Sequence, residues 1–183
     1  MPLIFPDVGI QGVEMRLRRS IAVAESPFSY DQQVYDFGGA RWEAEVTLRP
    51  LSYADARAVE GFLIGLKGQS GTFTFGNPLH YINKSILTQS SSSIGDDTIA
   101  ASGDSVDAGN YFQLGNYLYI VTENYNGSGD MSIQPPLREA IPTSTLLDFD
   151  KPTSTWRLTA SDIGWSTGSS AMTSFTIPMV EAL

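Results

Sequence analysis

The sequence predicts a mainly β protein: a sheet or barrel with one packed α-helix, plus a smaller inserted β-barrel or sandwich. Three observations carry that prediction. Apolar and polar residues alternate with period two in two N-terminal stretches, whereas apolar residues recur at helical spacing in only one. Short apolar runs in the second half are separated by Gly, Pro, Asn and Asp roughly every ten residues, the rhythm of a barrel or sandwich. Charged residues make up only 17% of the 183-residue chain, and Ser, Thr, Gly and aromatic residues take their place.

The elements follow in order. Met15, Leu17, Arg19, Ile21 and Val23 fall on one face of an extended strand, with Arg16, Arg18, Ser20 and Ala22 on the other. Arg19 interrupts the apolar face and must reach a partner or water. A second strand alternates Trp42, Ala44, Val46 and Leu48 with Glu43, Glu45 and Thr47, and Gly38-Gly39 before it supplies a turn or bulge with positive φ. Pro50 ends that strand. Ser52 is a suitable N-cap with Asp55 three residues on, and Ala56, Val59, Phe62, Leu63 and Leu66 then mark one helix face before Gly68 closes the element. Gly61 and Gly65, four residues apart, leave room for a neighbouring strand or subunit. Thr72–Phe75 reads as a short strand, and Gly115-Asn116 as the turn of a hairpin flanked by Asn110–Leu114 and Tyr117–Val121. Asn126–Asp130 forms another turn, Pro135-Pro136 stops ladder pairing, and Trp156–Leu158 and Phe175–Ile177 supply later strands.

Charge and composition shift together after Gly76-Asn77-Pro78. Residues 1–76 hold seven Lys/Arg and nine Asp/Glu, a net −2, and residues 77–183 hold four and eleven, a net −7. The expected organisation is a β domain with one helix from residues 1–76 with 171–183, and an inserted β module over 77–170.

Several chemistries are excluded or disfavoured. The absence of Cys removes disulfides, thiolate metal sites and Cys nucleophiles, and His80 is the single imidazole. A net charge of −9 argues against general affinity for nucleic acid or anionic membrane. Met1–Pro6 lacks the basic and apolar regions of a secretory leader, so synthesis in the cytoplasm is expected, and no apolar run approaches the roughly 20 residues of a membrane span. Asp96, Asp97, Asp104 and Asp107 do not follow a calcium-loop order. Asp96-Asp97 and the Asp148/Asp150 pair sit in turn-like sequence, which suits turn formation better than glycosidase chemistry. No catalytic residue, cofactor, metal or membrane partner is expected.

Four blocks carry a resemblance: Ser26-Pro-Phe through Gln32-Gln-Val-Tyr35 and Gly38-Gly-Ala-Arg-Trp42 to Leu48; Ala54–Gly68 with Gly71–Pro78; Val106–Leu114 with Tyr119–Thr122 and Ile133–Arg138; and Ile177–Leu183. In this order they resemble tail-tip proteins of the distal tail protein and minor tail protein group of long-tailed phages and prophages. Ile82–Gly103 fits that pattern poorly. The resemblance implies a non-enzymatic virion subunit in a ring of six copies. The ring would join the tail tube protein to tail hub, fibre or receptor-binding proteins, and DNA would pass through it without specific binding. A conduit of that kind is expected to have an acidic or neutral wall, since Lys and Arg would hold passing phosphates.

For the contact between subunits the candidates are Arg41, Trp42, Glu43 and Glu45, beside the Gly-Gly turn and along the strand after it, because Arg and Trp often anchor interfaces. The competing assignment makes Trp42 core and Arg41 a solvated turn residue. A second function class is carbohydrate or receptor binding by the inserted module during host adsorption, which requires exposed aromatics such as Tyr125 beside Asn126.

Overall fold

The structure is a computed structural model and describes residues 3–78, 82–168 and 172–183. In chain order the strands are β1 (Leu3–Ile4), β2 (Ile10–Glu25), β3 (Gln32–Leu48), then helix α1 (Tyr53–Gly65), β4 (Phe73–Phe75), β5 (Ser85–Thr88), β6 (Thr98–Gly103) and β7 (Tyr111–Leu114). They continue as β8 (Tyr117–Val121), β9 (Ser128–Gln134), β10 (Leu146–Asp148), β11 (Ser154–Leu158), β12 (Ser166–Thr167), β13 (Thr173–Ser174) and β14 (Thr176–Glu181). The protein is mainly β, with one α-helix among the described residues and a closed six-stranded barrel beside an open sheet.

The open sheet runs β1-β4-β11-β14-β3-β2. Its alternating strands bury Trp42, Val46, Leu48, Phe73, Trp156, Ile177 and Met179, and α1 adds Ala56, Val59 and Leu63 to the same core. The helix therefore covers the apolar face of the sheet, as the layer rule requires. Its start differs from the expected capping box. Ser52 donates its hydroxyl to the Asp55 carboxylate at 2.8 Å and makes no side-chain cap to the backbone. At the other end Leu66 is the cap, and Gly68 follows with φ of +68°. A Cβ at Gly68 would lie 2.9 Å from the Ser161 backbone, so this glycine is required by both conformation and space. Gly61, by contrast, faces open space, and a Cβ at Gly65 would only touch Leu3 at 4.0 Å.

The barrel closes in the order β10-β5-β6-β9-β8-β7. Leu114 pairs with Tyr117 across the turn at Gly115, whose φ is +59°, so the hairpin falls where the Gly-Asn pair predicts it. The barrel interior is filled by side chains including Ile86, Ile99, Phe112, Tyr119, Met131 and Phe149. Phe112 stacks on Tyr119 at 5.6 Å and lies 5.1 Å from Phe149. Leu118, on the other side of β8, joins the core of the open sheet, and Tyr111 packs its ring 5.5 Å from Trp42.

One boundary differs from the expected organisation. The strand Ser154–Leu158, inside the span 77–170 assigned to the insert, pairs with β4 and β14 and so belongs to the open sheet. The barrel strands themselves run from Ser85 to Asp148. The Trp156 indole explains the placement: it is buried in the first core and donates to the Phe75 carbonyl at 3.1 Å. A short apolar strand announces itself in sequence, but which sheet receives it depends on distant partners.

Candidate functional site: a projecting arm and the groove at its root

The longest pairing in the molecule is β2 with β3, and only its first part lies over the core. Met15 and Leu17 are half-buried opposite Ala44 and Trp42; from Arg18 to Glu25 every residue of β2 is exposed. Beyond Arg19 and Ala40 the two strands leave the body as a hairpin arm. Gln32–Ala40 is thus already strand, where the sequence placed the start after Gly38-Gly39. Those glycines form a bulge within the strand. Arg19 opposes Ala40 and Ile21 opposes Asp36, so Phe37, Gly38 and Gly39 face the single residue Ser20, an excess of two. Gly38 takes φ of +71° and donates its amide to Asp36 Oδ1 at 2.8 Å. A Cβ at Gly39 would lie 3.3 Å from Ser20 Cβ, a close cross-strand contact.

The arm turns through Ser26–Asp31, closed by the Tyr30 amide on the Ser26 carbonyl and the Ser26 amide on the Asp31 carbonyl, each at 2.9 Å. Its β-branched and aromatic residues favour the extended conformation, yet no described part of the chain covers them. Phe28 is 96% exposed, Phe37 69%, Val34 60% and Val23 58%, with Ile21, Tyr30 and Tyr35 also exposed. Scattered exposed apolar residues are ordinary, but seven on one thin two-stranded ribbon form a contiguous exposed apolar surface.

The root of the arm differs in chemistry. A groove of about 520 Å3 is lined by Arg18, Arg19, Arg41, Ile21, Gly39 and Leu183, among others. A second, of about 430 Å3, shares Gly39, Ala40 and Leu183 with it and continues to Tyr117, Pro136 and Arg138 on the barrel side. Arg18 and Arg41 both contact Glu43 Oε1, at 3.4 and 3.0 Å, and Arg19 donates to the Gln134 amide oxygen at 2.7 Å. Glu14 pairs with Arg16 on the same solvent face of β2.

Beneath the groove the barrel is fastened to the sheet by buried polar groups. Arg138 Nη1 lies 2.6 Å from Glu181 Oε1, with side-chain exposures of 12% and 0%. The pair is not aligned as a hydrogen bond, so its attraction is chiefly coulombic. Arg138 Nη2 donates to the Ala40 carbonyl at 3.0 Å, and its guanidinium lies 5.4 Å from the Tyr117 ring centroid. The other Glu181 oxygen accepts the Trp42 amide at 3.0 Å, where β14 has stopped pairing with β3. Trp42 in turn donates its indole N–H to the Leu118 carbonyl at 2.8 Å.

The four interface candidates therefore separate. Trp42 is 3% exposed and belongs to the chain's own core, so it offers no surface to another subunit. Arg41 is exposed at the groove, and Glu43 and Glu45 lie on the solvent face of β3, Glu43 as the common partner of two arginines. Sequence reasoning missed the arm itself. Its signal was the run Ile21–Val34, in which apolar residues flank a Ser-Pro-Phe-Ser turn.

Other sequence-level candidates resolve into structure. Tyr125 is 4% exposed in the barrel core, its hydroxyl without a hydrogen-bond partner, so it forms no stacking platform. Burial raises its pKa, and likewise those of Tyr111 and Tyr119. Asp96, Asp104 and Asp148 accept backbone amides of Ser93, Ser85 and Asp150, the ordinary work of turn carboxylates. Among the described residues no three His, Asp or Glu gather as a metal site would require, and no helix is long and apolar enough to cross a membrane. His80 lies outside the described residues. No family model matches the chain, and no curated protein matches it.

Proposed function

We propose that this protein is a structural subunit at the distal end of a phage tail, where copies form a ring that joins the tail tube to tail-tip or receptor-binding proteins. The observation that carries the reading is the arm: a two-stranded ribbon with apolar side chains on both faces and no covering from its own chain. A protein that acts alone gains nothing from holding Phe28 and Phe37 in water, whereas a subunit that meets its neighbours does. The resemblance of the Ser26–Leu48 block to tail-tip proteins supports the same reading, because that block contains the arm tip, the bulge and the buried strand.

Ring formation needs one patch to meet a different patch on the next copy. Six copies and a central passage for DNA are what the family resemblance implies. The net charge of −9 suits such a passage, since an acidic chain holds passing phosphates weakly.

Electron microscopy of the purified chain tests the proposal, together with a variant in which Ile21–Phe37 is replaced by a two-residue turn. The expected result is rings with a central opening for the full chain and monomers for the shortened one. An antibody to the barrel should then label one end of the tails on intact particles. Monomers at every concentration of the full chain, or label spread along the tail, would overturn it.

A further inference from the structure

We infer that the tip of the arm seats in the groove at the arm root of the next copy, so that a single tip-to-root contact repeats around the assembly. This rests on the ring reading above and specifies its contact.

Charge is the first argument. Residues 20–40, the projecting part, contain Glu25, Asp31 and Asp36 and no Lys or Arg. The root presents Arg18, Arg19 and Arg41 around the first groove, and Arg138 on the wall of the second. The partners these arginines have within the chain leave a surplus. Arg18 and Arg41 share the single carboxylate of Glu43, and Arg19 is bonded to a neutral amide. In a chain of net charge −9, a groove walled by arginines is a local inversion, and the part with the opposite composition is the arm.

Shape is the second argument. The tip offers Phe28 and Tyr30, fully or largely exposed, on a turn held by its own backbone hydrogen bonds. Two rigid aromatic anchors flanked by carboxylates suit adjoining grooves, the first walled by Arg18, Arg19 and Arg41 and the second by Arg138, Tyr117 and Pro136. The groove volumes of about 520 and 430 Å3 fall within the roughly 300–1,000 Å3 of clefts that enclose a compact group of this size.

Geometry makes the contact intermolecular. The six strand residues Ser20–Glu25 extend the arm by roughly 20 Å at about 3.3 Å per residue, and the Ser26–Asp31 turn carries the tip further from its own root. A paired hairpin cannot fold back over that distance, so the tip can meet a root only on another copy. Tip and root are different patches, which makes the contact head-to-tail and able to close a ring.

Complementation between two defective variants tests this. Phe28→Ala with Tyr30→Ala removes the tip, and Arg18→Glu with Arg41→Glu reverses the root; every changed side chain is exposed, and matching thermal melts check that each variant folds. In sedimentation, each variant alone is expected to self-associate at least about thirtyfold more weakly than the wild type, the scale of a lost hot spot. Mixed together, they should form one-to-one dimers and nothing larger, because each dimer has a single intact tip in a single intact root. Adding Glu25→Lys and Asp31→Lys to the root variant should restore assembly. Rings from the root variant alone, or no dimer in the mixture, would refute the seat and leave the ring reading standing. A wild type that never assembles would remove both.

Discussion

The barrel and the arm are both made of antiparallel hairpins rich in aromatic and β-branched residues, and they differ in where those residues end up. In the barrel, six strands close on themselves, so one face of each strand is sealed, even though the β10–β7 and β8–β9 seams are short. Phe112, Tyr119 and Phe149 are all fully buried there. In the arm, two strands run on past the last residue that the core can cover, and Phe28, Val34 and Phe37 stand in water. Charge follows the same division. The barrel span 82–150 has nine acidic and two basic residues, a net −7, and keeps its acids on the outside as a solvating shell. The lesson is that apolar content does not decide whether a strand's side chains are enclosed or left in water; strand closure does.

Matched substitutions break that comparison most directly. Phe112→Ala empties the middle of the barrel core and should lower unfolding free energy by about 3–5 kcal/mol. Phe28→Ala removes the same side chain from the arm tip and should change monomer stability by less than about 0.5 kcal/mol. Urea unfolding at low protein concentration measures both. A large loss at Phe28 in the monomer would mean that the tip folds against its own chain, and the distinction between the regions would collapse.

Much of the barrel was legible beforehand because its signals are local. Gly115-Asn116 between two apolar runs specifies a hairpin, and the second run is apolar on both faces, with Tyr119 and Val121 in the barrel core and Leu118 in the core of the open sheet. The helix over Tyr53–Gly65 was legible for the same reason. The arm was half legible. Alternation from Met15 to Val23 correctly predicted a strand, but periodicity reports that a face is apolar and not what covers it. Gly38-Gly39 marked an irregular backbone, yet only the pairing of Ile21 with Asp36 shows it to be a bulge rather than the hairpin turn. The Arg138–Glu181 contact was illegible, since it joins residues 43 positions apart from different units of the fold.

That contact gives the next prediction, and it sharpens the comparison at the join between the two regions. Arg138→Met alone leaves the fully buried Glu181 carboxylate without its cation and should cost about 3 kcal/mol. Arg138→Met with Glu181→Gln removes both charges while keeping an acceptor for the Trp42 amide, and should recover most of that loss. The exposed counterpart at the arm root, Arg18 with Glu43 at 3.4 Å, should lose less than about 1 kcal/mol on Arg18→Met. Thermal and denaturant unfolding of the four proteins checks the order. Equal losses for the buried and exposed arginines would show that water reaches the join between barrel and sheet.

The smallest effect concerns a polar group that the barrel encloses without a partner. The Tyr125 hydroxyl is buried and unsatisfied, so Tyr125→Phe deletes an unmet desolvation cost and should leave stability unchanged or raise it by up to about 1 kcal/mol. Its pH dependence has a definite sign. Burial raises the phenol pKa in the folded state, so the neutral form is favoured by folding. The associated stability is complete below the unfolded value of about 10 and is lost as pH rises through the folded one. Tyr111 and Tyr119 are raised by the same cause and add to that alkaline loss. Tyr125→Phe should therefore flatten the fall in stability above about pH 10, while Tyr30→Phe at the exposed arm tip should leave folding unaffected. If Tyr125→Phe instead destabilises the barrel at neutral pH, the hydroxyl has a bonded partner within the core, and the closed region is less dry than its packing indicates.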